Sequence, residues 1–149
     1  MGRAMSVSGP MAAAAGYSGT PLAQKLGIKP GMTLLALHAP EEYRALLQPI
    51  PDGVAIVQRA KPGSASFVHL FVASLAGLER DLPAARAAMA RDGALWISWY
   101  KKSAKLPTDV TEDRIRARIL QTDLVDVKVC AVSEIWSGLK CVVRKALRK

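Results

Sequence analysis

Short apolar or alternating runs, the mark of buried strands, are interleaved along this chain with stretches in which apolar residues recur at helical spacing. Residues 1–15 are read as a flexible tail. After them, "GTPLAQKLGIKPG" predicts a short helix closed by Gly27, with Pro30 and Gly31 turning into a strand over "MTLLALHA". Pro40, Glu41 and Glu42 suit the first turn of a second helix, in which Tyr43, Leu46 and Leu47 share a face. Turns at "PDG" and "KPGS" bracket a strand over "VAIVQ", and "FVHLFVA" is the next strand. Ser74 caps a helix carrying Leu75, Leu78 and Leu82; Pro83, lacking the N–H of a continuous helix, is expected to start another that runs to about Arg91. "ALWISWY" is a strand, and Asp109 or Thr111 caps a helix that turns Ile115, Ile119 and Leu120 inward and its arginines to water. "VDVKVCAV" and "LKCVVRK", joined by "SEIWSG", close the chain as an antiparallel hairpin with Trp136 in its turn.

This order predicts an α/β fold, a Rossmann-like three-layer sandwich with a mostly parallel sheet and a C-terminal antiparallel hairpin. Residues 16–149 are expected to form one domain, since a chain of 149 residues can bury a single core unaided. The order is similar to the class I methyltransferase variant of the Rossmann fold. S-adenosylmethionine in that fold lies against a glycine-rich turn after the first strand and is held by an acid ending the second. Here the first turn is "LHAPEEY" and the second strand runs into "VQRAKPG", so Gln58 and Arg59 stand where the acid belongs. Methyl transfer by that geometry is not expected, and no cofactor is assigned.

"GYSGTPLAQKLGIKPGM", "DGALWISWYKK", "PTDVTED", "LVDVKVCAV" and "WSGLK" resemble the bacterial family called domain of unknown function 3052, from Gly16 to Lys145. Tyr100 stands where the familiar form of the fourth-strand motif has proline. The resemblance implies a fold and no established activity, and it brings no catalytic residues.

Composition narrows the classes further. No run of about 18 apolar residues spans a bilayer, and Ser6, Ser8, Gly9 and Pro10 interrupt any secretory apolar segment, so a cytoplasmic protein without a membrane partner is expected. The two cysteines, Cys130 and Cys141, sit in apolar alternation and read as reduced core thiols. The net charge of +9 raises the question of an anionic partner. Its densest parts are Lys101, Lys102 and Lys105, the helix carrying Arg114, Arg116 and Arg118, and the tail from Arg144 to Lys149.

The chemistry-bearing residues are few. His38 and His69 read as hydrogen-bonded structural histidines, Ser18 and Ser98 have no base beside them in the sequence, and nothing has metal-ligand spacing. Trp96 and Trp99, three apart on a strand, are expected on opposite faces. If the first four strands are parallel, their carboxyl ends form the edge at which such sheets bind ligands. That edge would gather His38, Gln58, Arg59, Lys61, Ser74, Tyr100, Lys101 and Lys102, with no acid before Glu41. Three readings follow. The first is a non-catalytic, degenerate methyltransferase-like module binding a small anionic ligand or nucleotide at His38, Arg59, Lys61, Ser74, Tyr100, Lys101 and Lys102. The second is a nucleic-acid-associated protein using Arg114, Arg118 and the basic tail. The third is an interaction or scaffold protein with Trp136 as its contact.

Overall fold

The computed structural model describes residues 19–147. The proposed tail, residues 1–15, and the last two basic residues lie outside them. In chain order the elements are α1 (Leu22–Leu26), β1 (Thr33–Leu37), α2 (Tyr43–Leu46), β2 (Ala55–Val57), β3 (Ala65–Phe71), α3 (Leu75–Ala88), β4 (Met89–Tyr100), α4 (Glu112–Ile119), β5 (Leu124–Ala131) and β6 (Trp136–Val143). Single 3₁₀ turns follow β4 and β6, at Lys102–Ala104 and Lys145–Leu147. Gly27 takes the left-handed φ of 84° that closes α1, a conformation open to glycine without a Cβ penalty.

The result is a mixed α/β fold around a six-stranded sheet, ordered β2-β1-β3-β4-β6-β5. The pairs among β2, β1, β3 and β4 are parallel, and β4 with β6 and β6 with β5 are antiparallel. Alternation along the strands divides the buried side chains into two clusters. One holds Leu35, Val68, Leu70, Leu95 and Ile97, packed by Leu78, Leu82 and Ala85 of α3 and Ile115 and Ile119 of α4. The other holds Leu34, Phe67, Phe71, Trp96 and Trp136, packed by Ala23 and Leu26 of α1 and by Tyr43 and Leu47 at α2. Trp96, fully buried, donates its indole N–H to the Leu26 carbonyl at 3.1 Å and so ties the end of α1 to the sheet. Trp99 falls in the α3/α4 cluster, so the two tryptophans take opposite faces as their spacing predicts. No described helix is long and apolar enough to cross a membrane.

Several details depart from the sequence reading. Pro83 lies inside a single α3 and does not begin a new helix. Its ring sits on an exposed position, where water can take the carbonyl left without a partner, while Leu82 and Ala85 stay buried beside it. Met89 then begins a strand longer than "ALWISWY". Trp136 is the first residue of β6, not part of the turn, and Ser133 Oγ closes the turn by accepting the N–H groups of Ile135 and Trp136. Leu120 is 47% exposed because α4 ends at Ile119 and the chain turns away. Thr111 caps α4, accepting the Arg114 N–H, and Asp109 is used elsewhere. The connector between β2 and β3, residues 58–64, is shorter than the dozen or so residues of a usual crossover and contains no helix.

Candidate functional site

The carboxyl ends of β1 to β4 share one edge, but the strand order spreads the predicted residues along it. Arg59 follows β2 and Lys101 follows β4, three strand spacings apart, or about 14 Å at ~4.8 Å per strand. A single phosphate cannot join them through short contacts.

The residues between them are already engaged. His38 takes a left-handed φ of 59° where the chain leaves β1, and its Nε2 lies 3.1 Å from Asp81 Oδ2 of α3. Asp81 therefore brings to this edge an acid that the sequence reading did not place there, and it also pairs with Arg80. Ser74 Oγ accepts the Gly77 N–H as the cap of α3. The Leu75 N–H, another free donor of that helix end, is taken by Asp109 Oδ1 at 2.8 Å, and Thr108 donates to the Ala73 carbonyl. The segment after β4 thus folds across α3 and supplies the anion that the helix terminus favours. A ligand at Ser74 would have to displace the protein's own carboxylate.

Tyr100 packs its ring 4.5 Å from that of Trp136, among the aromatic side chains below the edge. The Lys101 backbone donates to the Ile135 carbonyl, and burial, aided by the charge of Lys25, holds the Lys101 ammonium below its ordinary range. Lys102 is exposed at the start of a 3₁₀ turn.

Arg59 has a different setting. It lines a concavity of about 290 Å³ with Thr33, Leu35, Val57, Ala60 and Ser64, on the α3/α4 face of the sheet beside its β2 edge. The concavity exists because the connector of residues 58–64 lays no helix over β1 and β2. Ser64 Oγ donates to the Lys61 carbonyl and Gly63 donates to Ala87 at the end of α3, which fastens the connector. Arg59 is exposed and makes no ion pair among the described residues; Lys61 is exposed in the same loop.

The interaction candidates also separate. Trp136 is only 8% exposed and meets Phe71 edge to face at 5.0 Å, so it is core and offers no contact surface. Arg118 is paired with Glu79 at 2.7 Å, Arg116 is held by Asp126 and Glu112, and Arg144 donates to the Leu120 carbonyl. Arg114 is exposed. The helix read as a basic face is therefore largely neutralised by acids.

A chemical constellation that the sequence did not reveal lies inside the α1/α2 cluster. His69 is fully buried, with Nε2 2.7 Å from Ser98 Oγ and Nδ1 2.9 Å from the Tyr43 hydroxyl. Phe71 stacks on its ring and Phe67 meets it edge-on. Ser98 thus has a base after all, and the base has an orienting partner. The three groups carry three protons for two hydrogen bonds, with a neutral imidazole donating one and accepting one. Burial keeps the imidazole neutral, lowering its pKa to about 3, and pushes the Tyr43 hydroxyl up. Ser98 is fully buried, and Gly138 stands opposite it, where an added Cβ would meet Val132 at 3.0 Å and Trp96 at 3.1 Å. No substrate carbonyl reaches Oγ, so the arrangement is a polar network that locks α2 to β3 and β4. One signal for it was present: His69 alternates with Phe67 and Phe71 on an apolar face, where a polar group needs partners.

Both cysteines are free thiols, that of Cys141 pushed up to about 12 by burial, and no group of described residues could hold a metal ion.

No family model matches the chain, so the resemblance to domain of unknown function 3052 gains no support from that comparison. No curated protein matches it. Among solved structures, the chain is similar to a ribosomal protein L11 methylase from Lactobacillus delbrueckii subsp. bulgaricus, with 15% identity and a TM-score of 0.43 over 75% of this chain. It spans 58% of the length of that structure.

Proposed function

We propose that this chain is a Rossmann-like, three-layer module without transfer chemistry, which binds a small anionic ligand such as a nucleotide in the Arg59 concavity. The observation that carries the reading is a guanidinium with no acid partner at the mouth of a hollow with an apolar floor. Leu35 and Val57 would take an apolar ring, Thr33 offers a hydroxyl, Ser64 Oγ offers an acceptor, and Arg59, with Lys61 exposed in the adjoining loop, would take the charge. The turn after β1 argues against a methyl donor at the usual place, because His38 fills the left-handed position with a side chain held by Asp81.

A thermal-shift screen of the full chain against nucleotides, S-adenosylmethionine and inorganic phosphate tests this, since a ligand of the folded state raises Tm. The expected result is a shift with a nucleotide that Arg59→Ala/Lys61→Ala abolishes and Lys101→Ala/Lys102→Ala leaves in place. A flat screen, or a shift that survives removal of Arg59 and Lys61, overturns the reading.

A further inference from the structure

Lys128 and Lys140 stand directly opposite each other in the β5–β6 pair, and Lys140 is in turn opposite Trp96 of β4. Residues directly opposed in an antiparallel pair share a face. Both lysines therefore lie on the Trp96 face, against which α1 packs. Lys25 of α1 is near enough to act electrostatically on Cys130 of β5 and on Lys101, and Lys128 acts on Cys130 as well. Lys128 and Lys140 thus share by register the side of the sheet on which α1 carries Lys25, and Lys101 at the end of β4 lies within electrostatic reach of Lys25 and of the acid Glu134.

Like charges opposed across a ladder destabilise it, and an anion bound from outside at Lys128 and Lys140 would relieve that repulsion. Lys128 and Lys140 take part in no ion pair among the described residues, and Glu134 acts on Lys101 without forming one. Asp126, close by in sequence, lies on the other face, opposite Cys141 and held by Arg116.

We propose that this lysine face binds the phosphate backbone of a nucleic acid, without regard to base sequence. Cations contributed by neighbouring strands of an edge ribbon suit the repeating charge of a phosphate backbone. Trp96 is fully buried beneath it and unavailable for base stacking. Val127 and Val129, both exposed, flank Lys128; Val129 lies opposite Leu139 on the other face, and Val127 falls in the bulge between Asp126 and Lys128. The face is separate from the Arg59 concavity, which lies on the other side of the sheet at its far edge.

Fluorescence anisotropy of the full chain with a short mixed-sequence DNA duplex, over a series of salt concentrations, tests the proposal. Each lysine on a phosphate contributes about 0.9 to the slope of log affinity against log salt. Lys128→Gln/Lys140→Gln is therefore expected to flatten the slope by about 1.8 and weaken binding about 60-fold at ~0.1 M salt. Arg114→Gln/Arg118→Gln, on the other side of the sheet, is expected to leave the slope unchanged. Circular dichroism melting checks the fold, and the lysine variant is expected to melt no lower than the parent, since it removes a repulsion. Absence of duplex binding by the parent chain, or an unchanged slope in the lysine variant, overturns the proposal. Lysine-dependent binding to anionic lipid vesicles without binding to the duplex assigns the face to headgroups and overturns it too. Arg59→Ala leaves all these outcomes in place, so failure of the small-ligand reading is seen separately.

Discussion

The two faces of the sheet treat charge in opposite ways. On the α3/α4 face three arginines are matched internally, Arg86 with Asp123, Arg116 with Asp126 and Glu112, and Arg118 with Glu79, while Arg59 and Arg114 make no ion pair among the described residues. On the α1/α2 face the polar chemistry is either wholly inside, as Tyr43, His69 and Ser98, or left outside on Lys128 and Lys140, which make no ion pair among the described residues. The difference follows from side-chain form. A guanidinium fork suits a carboxylate held in fixed geometry and ties helix to helix and helix to strand, whereas an ammonium on a flexible stem stays hydrated. The net charge of +9 already subtracts the acids, so the excess that a partner meets sits on the cations left outside these pairs.

The largest effect that would test this contrast is at Trp96. Trp96→Ala removes the side chain that fills the α1/α2 cluster and its bond to Leu26, and is expected to cost about 4 kcal/mol by urea unfolding. A loss below ~1 kcal/mol would mean that α1 is not held through this residue.

Acid comes next and separates the faces by pH. The folded imidazole of His69 has a pKa of about 3, below its ordinary value near 6.5. The unfolded chain therefore binds the extra proton, so this share of stability is complete above pH ~6.5 and declines as pH falls toward 3, with a loss of about 2 kcal/mol between pH 7 and 5. The Asp123 carboxyl is held below its usual value by Arg86, so the stability it contributes is lost only below pH ~4. Urea midpoints at pH 7 and 5 check this: His69→Gln should lower stability at pH 7 and show a flatter pH dependence. Equal slopes for parent and variant would place the acid sensitivity elsewhere.

The smallest effect belongs to the ion-paired face. Arg116 and its acids are partly exposed, so Arg116→Gln is expected to cost no more than about 1 kcal/mol, and less in high salt. A loss as large as that of Trp96→Ala would erase the distinction between the two faces.

Local signals in the sequence marked the elements well. Gly27, Ser74 and Thr111 close or cap the helices they were read to close or cap, and the final strands do pair as a hairpin. Periodicity tells which face a side chain takes but not what lies across from it. Sequence places residues ending four parallel strands at one edge but not in what order; the order β2-β1-β3-β4 separates Arg59 from Lys101. Asp81 and Asp109, which reach His38 and the start of α3, come from distant parts of the chain with no local mark. Pro83 misled because its cost depends on what surrounds the orphaned carbonyl, and on an exposed helix surface water can meet it. Trp136 misled because a tryptophan beside turn residues reads as exposed until Phe71 and Tyr100 are known to flank it.

The uncovered connector after β2 has a consequence for motion. A strand of three residues, paired on one side only and followed by a connector without a helix, is the place where amide protons should exchange with solvent first, while those of β3 and β4 wait for global opening. The region that offers the hollow is thus the one whose breathing can be silenced, and a molecule settling beside Arg59 would announce itself as slowed deuterium uptake at Ala55–Val57.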